Sequence, residues 1–277
     1  MDRSSVIQIT DEDLSLLIND IHLAHGYDFS EYSRASFRRR IERLVMIDHF
    51  SSFAELRYRM RTDPAYFAHA IEEISVTVTE MLRDPAFYKI IRTNIIPVLA
   101  TYPFIKVWHA GCATGEEVYS MAILLKEAGL LHKSLLYATD MNPAALAKAR
   151  KGIFPLSQMQ QYSRNYQLSG GVNDFSSYYT ANYHFASFDS RLSEKIIFAQ
   201  HNLVTDFSFN SFQLIFCRNV LIYFNKDLQN RVLKLFDDSL ELNGFLALGT
   251  KENIRFSTIT DDYKPVIGRE KIWRKIK

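Results

Sequence analysis

The segment from Val107 to Leu125 constrains the fold of this chain more than any other part of the sequence. It has the pattern of a buried strand, then a loop that turns on Gly111 and Gly115, and then an amphipathic helix. A strand, a glycine loop and a helix in this order form the ligand-binding corner of a doubly wound sheet. The sequence therefore predicts an α/β fold whose ligand lies at the carboxyl ends of parallel strands.

Two acidic residues, Glu116 and Glu117, begin the predicted helix. A nucleotide-binding corner usually places phosphate there, because free N–H groups and the helix dipole favour anions. Carboxylates would repel phosphate, so they favour a positively charged ligand. S-adenosylmethionine fits, because it carries a sulfonium and an ammonium but no phosphate. On a helix the two side chains point about 100° apart, so we expect only one of them to be the principal contact.

From Ile105 onward, predicted strands alternate with predicted helices, which is typical of an α/β domain with a mostly parallel sheet. Asn142 and Asn225 are predicted helix caps, and the tail predicts a hairpin around Gly268 at the sheet edge. The strand candidates are Ile105 to His109, Leu135 to Thr139, Ile196 to Gln200, Phe212 to Cys217 and Phe245 to Gly249. The helix candidates are residues 116–128, 143–151 and 226–241.

The first part of the chain shows only helical patterns, so we expect a small all-α domain over residues 1–83 and the α/β domain over 84–277. Thr10 with Asp13 resembles a capping box. Asp63 and Asp84 each precede a proline, which predicts an N-cap followed by proline at the first helical position. The second helix is expected to bury Phe37, Ile41 and Leu44.

One segment interrupts the alternation of strands and helices. Between Gly152 and Glu194 the chain is rich in Tyr, Ser, Asn and Phe, and a structureless loop of that length is rare in a compact domain. We therefore expect an inserted small antiparallel β-subdomain at about residues 160–195.

Bulk properties exclude some classes of protein. A formal net charge of +2 over 277 residues is too small to argue for nucleic acid binding, and Cys112 and Cys217 have no metal-ligand spacing. We expect no metal site. No stretch has the length and apolarity of a signal peptide or a membrane span. We therefore expect a cytoplasmic protein without membrane insertion, acting as a monomer.

Three further positions carry candidate binding chemistry. Asp140 ends the second predicted strand, where a carboxylate can accept the ribose hydroxyls of an adenosine ligand; the alternative is a carboxylate at the start of the next helix. Arg83, close to Thr77 and Thr79, could hold a carboxylate, although an isolated arginine is more often a surface residue. Arg218 follows an apolar strand, at the end where open α/β sheets bind ligands.

Several motifs together resemble the CheR family of chemotaxis receptor methyltransferases, in the right order over nearly the whole chain. They are Ser75 to Asp84, Val107 to Leu125, Ala138 to Asn142, Asn202-Leu203, Phe216 to Phe224 and Leu248 to Glu252. The resemblance implies a Rossmann-like class I methyltransferase domain, preceded by the all-α domain and carrying the inserted β-subdomain. It also implies methyl transfer from S-adenosylmethionine to glutamate side chains of chemoreceptors, with methyl esters and S-adenosylhomocysteine as products.

The resemblance also implies roles for particular residues. Thr77, Thr79 and Arg83 would hold the methionine end of the cofactor, and Glu116 or Glu117 would meet its ammonium. Asp140 would bind the ribose, and Gly111 belongs to the cofactor loop. Tyr223 would lie near the reacting methyl and Arg83 near the carboxylate of the cofactor, and both are expected catalytic residues. The residues expected to surround the adenosine are Asn202, Leu203, Arg218 and Asn219. The inserted β-subdomain would help to dock receptors.

Arginines crowd the second and third predicted helices. They could form a solvated face, or they could steer and orient an acidic receptor helix that carries the substrate glutamates. Nucleic acid is disfavoured because aromatic residues do not interleave with them. These arginines are Arg34, Arg38, Arg39, Arg40, Arg43, Arg57, Arg59 and Arg61.

The chain departs from the family pattern at Thr77, at Met81-Leu82 and at Thr250-Lys251, which leaves room for a divergent protein substrate. A cofactor-binding signalling scaffold is a second possibility. A nicotinamide-dependent dehydrogenase is disfavoured, because Gly111 to Gly115 does not follow the G-x-G-x-x-G pattern.

Overall fold

The computed structural model describes residues 8–75, 77–266 and 269–277. The chain forms two compact units. The first comprises Met1–Val76 with Tyr223–Arg231, and the second comprises Thr77–Ile222 with Val232–Lys277. The domain limits expected from the sequence, with a boundary after residue 83, stay a prediction.

The first unit is built from helices, as expected. Thr10 and Asp13 form the predicted capping box, and the Asp63 side chain accepts hydrogen bonds from the first turn of its helix. The second helix buries Phe37, Ile41 and Leu44. These predictions are confirmed. The helices are α1 (Asp11–His25), α2 (Arg34–Ile47), α3 (Phe53–Thr62) and α4 (Pro64–Ile74).

The Tyr223–Arg231 segment belongs to this first unit through contacts with the residues that precede α2. Tyr32 and Phe224 form an isolated antiparallel bridge and their rings pack edge to face. The Ser33 N–H donates to the Tyr223 carbonyl over 2.8 Å. The position of Tyr223 is therefore tied to the stretch of chain that leads into the arginine-rich helix.

The second unit contains a mixed seven-stranded sheet within the described residues, in the order β6-β2-β1-β7-β8-β10-β9. Neighbours from β6 to β8 are parallel, and β10 is antiparallel to both of its neighbours. The five predicted strands are confirmed. The strands are β1 (Ile105–Ala110), β2 (Ser134–Asp140), β6 (Ile196–Gln200), β7 (Phe212–Cys217), β8 (Leu240–Leu248), β9 (Tyr263–Pro265) and β10 (Ile272–Lys275). The predicted hairpin is present as β9 and β10, and its predicted turn at Gly268 lies outside the described residues.

The three helices predicted at residues 116–128, 143–151 and 226–241 are present close to those positions. Asn142 caps α8 by accepting from the N–H groups of Ala144 and Ala145, and Asn225 accepts from the Leu228 N–H in the first turn of α11. A π-helical turn, Ile91–Ile95, separates α5 from α6. The helices are α5 (Pro85–Ile90), α6 (Ile96–Leu99), α7 (Glu116–Glu127), α8 (Pro143–Lys151), α9 (Met159–Leu168), α10 (Ser190–Ser193) and α11 (Lys226–Ser239).

The insertion forms a small antiparallel sheet, as predicted. Its strands are β3 (Ile153–Pro155), β4 (Tyr179–Asn182) and β5 (Phe185–Phe188), in the order β3-β5-β4. Glu127 of α7 accepts hydrogen bonds from Tyr166 and Tyr178 and pairs with Arg92. This carboxylate, with 11% of its side chain exposed, fastens the insertion to the main domain. None of the helices in the described ranges combines the length and the apolarity needed to cross a membrane.

Candidate functional site

The loops that follow β1, β2, β6 and β7 leave the sheet at the carboxyl ends of parallel strands. The order of the sheet reverses between β1 and β7, because β2 and β6 lie on one side of β1 while β7 and β8 lie on the other. Ligands of open α/β sheets bind in the crevice at such a switch point. The predicted residues of these four loops therefore lie at one edge of the second unit.

The glycine loop after β1 is held between its two neighbouring strands. Gly111 has φ +78° and Gly115 has φ +98°, a backbone region that other residues rarely adopt. The Gly111 N–H donates to the Thr139 carbonyl over 2.8 Å. A Cβ on Gly111 would lie 2.5 Å from Cγ2 of Val220, in the loop after β7. Glycine is required at this point because the two loops touch.

Asp140 braces this loop from the end of β2. Its carboxylate accepts from the Ala113 N–H and from the Asn142 N–H, both at 2.9 Å. Burial raises the pKa of Asp140, and these backbone hydrogen bonds oppose the rise. Asn142 supplies the side-chain cap of α8, and Asp140 accepts from the N–H of this cap residue, so the alternative of a carboxylate at the start of that helix stays open. Its contact with the ribose stays a prediction.

Glu117 is already neutralised by its surroundings. His109 Nδ1 lies 2.9 Å from one carboxylate oxygen, and Arg218 Nη1 lies 3.5 Å from the other. Burial by itself would raise the pKa of Glu117, but the hydrogen bond from His109 and the charge of Arg218 outweigh it and lower the pKa. The charge of Glu117 is therefore already balanced by His109 and Arg218 of the same protein.

Glu116 has a different environment. Its side chain is buried, and the Thr114 hydroxyl donates to it over 2.6 Å. No cationic side chain among the described residues pairs with it. Burial raises the pKa of Glu116 to about 7, although the Thr114 hydrogen bond opposes the rise. Glu116 is thus a buried acid without a counter-charge, beside the glycine loop.

Arg218 is buried between two acidic residues, with 3% of its side chain exposed. Its Nη2 lies 2.6 Å from the Asp84 carboxylate, and its guanidinium stacks 4.0 Å above the Phe87 ring. Asp84 stands at the predicted N-cap position of α5, with Pro85 at the first helical position, but its side chain does not cap the helix. Asp84 has φ +60° and makes no capping hydrogen bond, because its carboxylate binds Arg218 instead. Contact of Arg218 with the adenosine stays a prediction.

The segment before Asp84 is fastened to α7. The Leu82 N–H donates to Oγ of Ser120 over 2.9 Å, and that hydroxyl donates to the Glu116 carbonyl over 2.6 Å. Arg83 follows directly and is half-buried, and its guanidinium forms no ion pair in the part of the chain that the structure describes. Thr77 and Thr79 lie half-buried in the irregular stretch leading to it.

The remaining predicted site residues are Asn202, Leu203, Asn219 and Tyr223. Asn202 uses its side-chain oxygen to accept from the Val204 N–H over 3.1 Å, and Leu203 is half-buried in that turn. Asn219 has φ +64° in the loop after β7. Tyr223 belongs to the first unit, whereas the other predicted site residues belong to the second.

One residue escaped the sequence analysis. Glu252 is buried, and its carboxylate accepts from the N–H groups of Asn219, Val220 and Gly249 over 2.6 to 2.9 Å. The segment Leu248 to Glu252 was recognised as a motif, but an acid three residues after a strand-end glycine was the signal that could have singled out Glu252.

The charges of the site fit S-adenosylmethionine. The amino-acid end of that molecule carries an ammonium and a carboxylate, and the site offers a buried acid without a counter-charge and an arginine without an ion pair among the described residues, namely Glu116 and Arg83. Ser120 links the two regions, because its hydroxyl accepts from the N–H of Leu82, the residue before Arg83, and donates to the Glu116 carbonyl. A phosphate-bearing cofactor would instead meet the acids at the helix start.

Comparison with known proteins identifies the family of this chain. Residues 77–271 match the family model described as the CheR methyltransferase SAM binding domain, and residues 12–75 match the CheR methyltransferase all-alpha domain. The chain is 47% identical over 266 residues to "Putative methyltransferase Cher3" of Pseudomonas putida, covering 96% of this chain and 97% of that protein. It is 29% identical over 232 residues to a "Chemotaxis protein methyltransferase" of Listeria innocua, covering 83% and 85% of the two chains.

A "Chemotaxis protein methyltransferase 2" of Pseudomonas aeruginosa is 29% identical over 245 residues, covering 85% of this chain and 82% of that protein. The match to the two family models covers the helical unit and the site-bearing unit in the expected order. The cofactor is accordingly S-adenosylmethionine. This chain belongs to the CheR methyltransferase family, with the all-α domain followed by the SAM binding domain.

Proposed function

We propose that this protein methylates glutamate side chains of chemoreceptors and that Glu116, rather than Glu117, binds the ammonium of the cofactor. The observation that carries the cofactor assignment is the contrast between the two acids: Glu117 is paired with His109 and Arg218, while Glu116 is buried without a cation among the described residues. A bound ammonium would supply the missing charge. Arg83 would hold the carboxylate and Asp140 the ribose.

The proposed chemistry requires little from the protein beyond alignment. A glutamate with an ordinary pKa of about 4.3 is ionised at neutral pH, so no general base is needed. The cofactor supplies a methyl group on a positively charged sulfur, which leaves as a neutral thioether when the ester C–O bond forms. The residues of the site bind and orient the cofactor and exclude water. Tyr223 would lie near the methyl group.

The proposed substrate surface is the exposed part of the arginine-rich helices. Several of these arginines are compensated by acids: Arg38 pairs with Asp11, and Arg57 pairs with Asp20. In contrast, Arg39 is exposed and forms no ion pair within the described ranges. The arginines Arg34 and Arg61 share these properties. Uncompensated positive charge would attract an acidic receptor helix and set its orientation.

Reversing two of these charges tests the proposed substrate surface. The double variant Arg34→Glu, Arg39→Glu is expected to raise the KM for a receptor cytoplasmic fragment about tenfold at low salt, with less effect at high salt because screening weakens the attraction. The KM for the cofactor should not change. Transfer of radiolabelled methyl groups to the fragment gives both constants, and base-labile label on glutamate identifies the ester.

Lys151→Glu is the matched control, because Lys151 is also exposed but lies on α8. An equal rise in KM for that control would contradict a specific docking surface. Methyl label on a protein other than a receptor would favour a divergent substrate, which the departures at Thr77 and Thr250 leave open. Cofactor binding without transfer to any protein would favour a signalling scaffold.

The raised pKa of Glu116 predicts how cofactor affinity depends on pH. A carboxyl group with a pKa of about 7 is mostly neutral at pH 6 and half ionised at pH 7. Affinity for S-adenosylmethionine is therefore expected to fall roughly fivefold from pH 7 to pH 6, while an α-ammonium group stays charged over that range. Titration calorimetry in buffers of different ionisation heat should also record proton release on binding at pH 7. A pH-independent affinity would contradict the role of Glu116.

A further inference from the structure

We propose that Glu252 is a positioning residue for the cofactor: its carboxylate holds the loop after β7 in the conformation that receives the adenosine. The proposal rests on the placement of the adenosine at Asn219 that the family resemblance implies. It adds a residue that contacts neither the cofactor nor the substrate glutamate, and that acts through the backbone of the loop.

The loop after β7 directs its backbone N–H groups at a single anion. The Asn219 N–H lies 2.9 Å from Oε2 of Glu252, and the Val220 N–H lies 2.8 Å from Oε1. The Gly249 N–H, at the end of β8, lies 2.6 Å from Oε2. Successive N–H groups around one carboxylate form an anion-binding concavity of the kind called a nest. Here the anion is part of the protein.

The Glu252 carboxylate packs tightly against Gly249 and Asn219, so a larger side chain at position 249 would not fit. A Cβ on Gly249 would lie 2.7 Å from Oε2 of Glu252 and 2.8 Å from the Asn219 nitrogen. No cationic side chain pairs with Glu252 over residues 8–75, 77–266 and 269–277. Burial raises the pKa of Glu252, and the backbone hydrogen bonds oppose the rise. The charge of Glu252 is therefore stabilised by N–H dipoles of the loop it organises.

The position of the loop matters for two reasons. Asn219 has φ +64°, a conformation that costs free energy for most residues and persists only where the surroundings impose it. The next residue, Val220, lies directly against the glycine loop, since a Cβ on Gly111 would approach its Cγ2 to 2.5 Å. Glu252 binds both residues of the loop, so it sets one wall of the crevice between β1 and β7.

The test replaces Glu252 by glutamine. An amide keeps the size of the side chain but has one acceptor oxygen and places an NH₂ donor against a backbone N–H group. Glu252→Gln is expected to weaken the binding of 5′-deoxy-5′-methylthioadenosine, which has the adenosine but lacks the amino-acid end, by about tenfold. The KM for S-adenosylmethionine should rise similarly, with kcat little changed at saturating cofactor.

Glu127→Gln is the matched control, because Glu127 is also a largely buried carboxylate, with 11% of its side chain exposed, but is held by Tyr166 and Tyr178 of the insertion and by Arg92. Both variants are expected to lower the melting temperature, whereas only Glu252→Gln should lose affinity for the adenosine probe. Glu252→Asp, which keeps two acceptor oxygens, should lose less affinity than Glu252→Gln. Unchanged binding of the probe by Glu252→Gln, or an equal loss in Glu127→Gln, would overturn the proposal.

This experiment is separable from the test of the proposed function. The binding of the adenosine probe does not require a receptor substrate. A failure of glutamate methylation would therefore leave the result on Glu252 intact, and the reverse also holds.

Discussion

Replacing Glu116 by glutamine is expected to weaken S-adenosylmethionine binding about 10- to 100-fold and to leave methylthioadenosine binding within about twofold. A hydrogen bond between charged groups contributes about 1.5 to 3 kcal/mol, and its loss in a buried site approaches the upper end of that range. Glu116 is buried and has no cation beside it among the described residues, so the ammonium would be its main counter-charge. Titration calorimetry with both ligands at pH 8 measures the two affinities.

The comparison of the two ligands makes this experiment specific. Both contain the adenosine, but only S-adenosylmethionine carries the ammonium. A loss of the same size for both ligands would mean that Glu116→Gln disturbs the glycine loop as a whole. Glu252→Gln is expected to have the complementary effect, because it weakens the binding of the adenosine probe. The two variants thus separate the two ends of the cofactor site.

Replacing Arg218 by methionine is expected to cost about 3 to 5 kcal/mol of the free energy of unfolding. The guanidinium is almost fully buried between Glu117 and Asp84, so its removal leaves Glu117, with 16% of its side chain exposed, with His109 as its one ionic partner among the described residues. Methionine retains much of the apolar contact with Phe87. Urea denaturation followed by circular dichroism measures the change.

Arg191→Met serves as the control for Arg218→Met. Arg191 pairs with Asp189, but 74% of its side chain is exposed, and exposed ion pairs contribute little to stability. Its replacement should therefore leave the denaturation midpoint nearly unchanged. If Arg218→Met were equally harmless, the network of Asp84, Arg218 and Glu117 would not hold the site together in the way that its geometry indicates.

Local patterns predicted much of the fold because the interactions that produce them are local. The Asn142 cap is made with the N–H groups of Ala144 and Ala145, which are two and three residues further along the chain, and hydrophobic periodicity located the strands of the parallel sheet. The same rule located the helix start at Asp84, which also precedes a proline, but it did not predict the partner of the Asp84 carboxylate. There the carboxylate is bound by Arg218, which is 134 residues away in the chain. A cap prediction cannot anticipate a distant competitor for the side chain.

The sequence by itself determined the glycine loop, the alternation of strands and helices, and the presence of acids at the start of α7, because these depend on spacing along the chain. Only the tertiary structure decided which acid is available. Glu116 and Glu117 are adjacent and chemically identical, but the fold brings His109 and Arg218 to Glu117 and buries Glu116 without a cation among the described residues. Burial and the partners contributed by other strands set the charge of each carboxylate, and neither is encoded in local spacing.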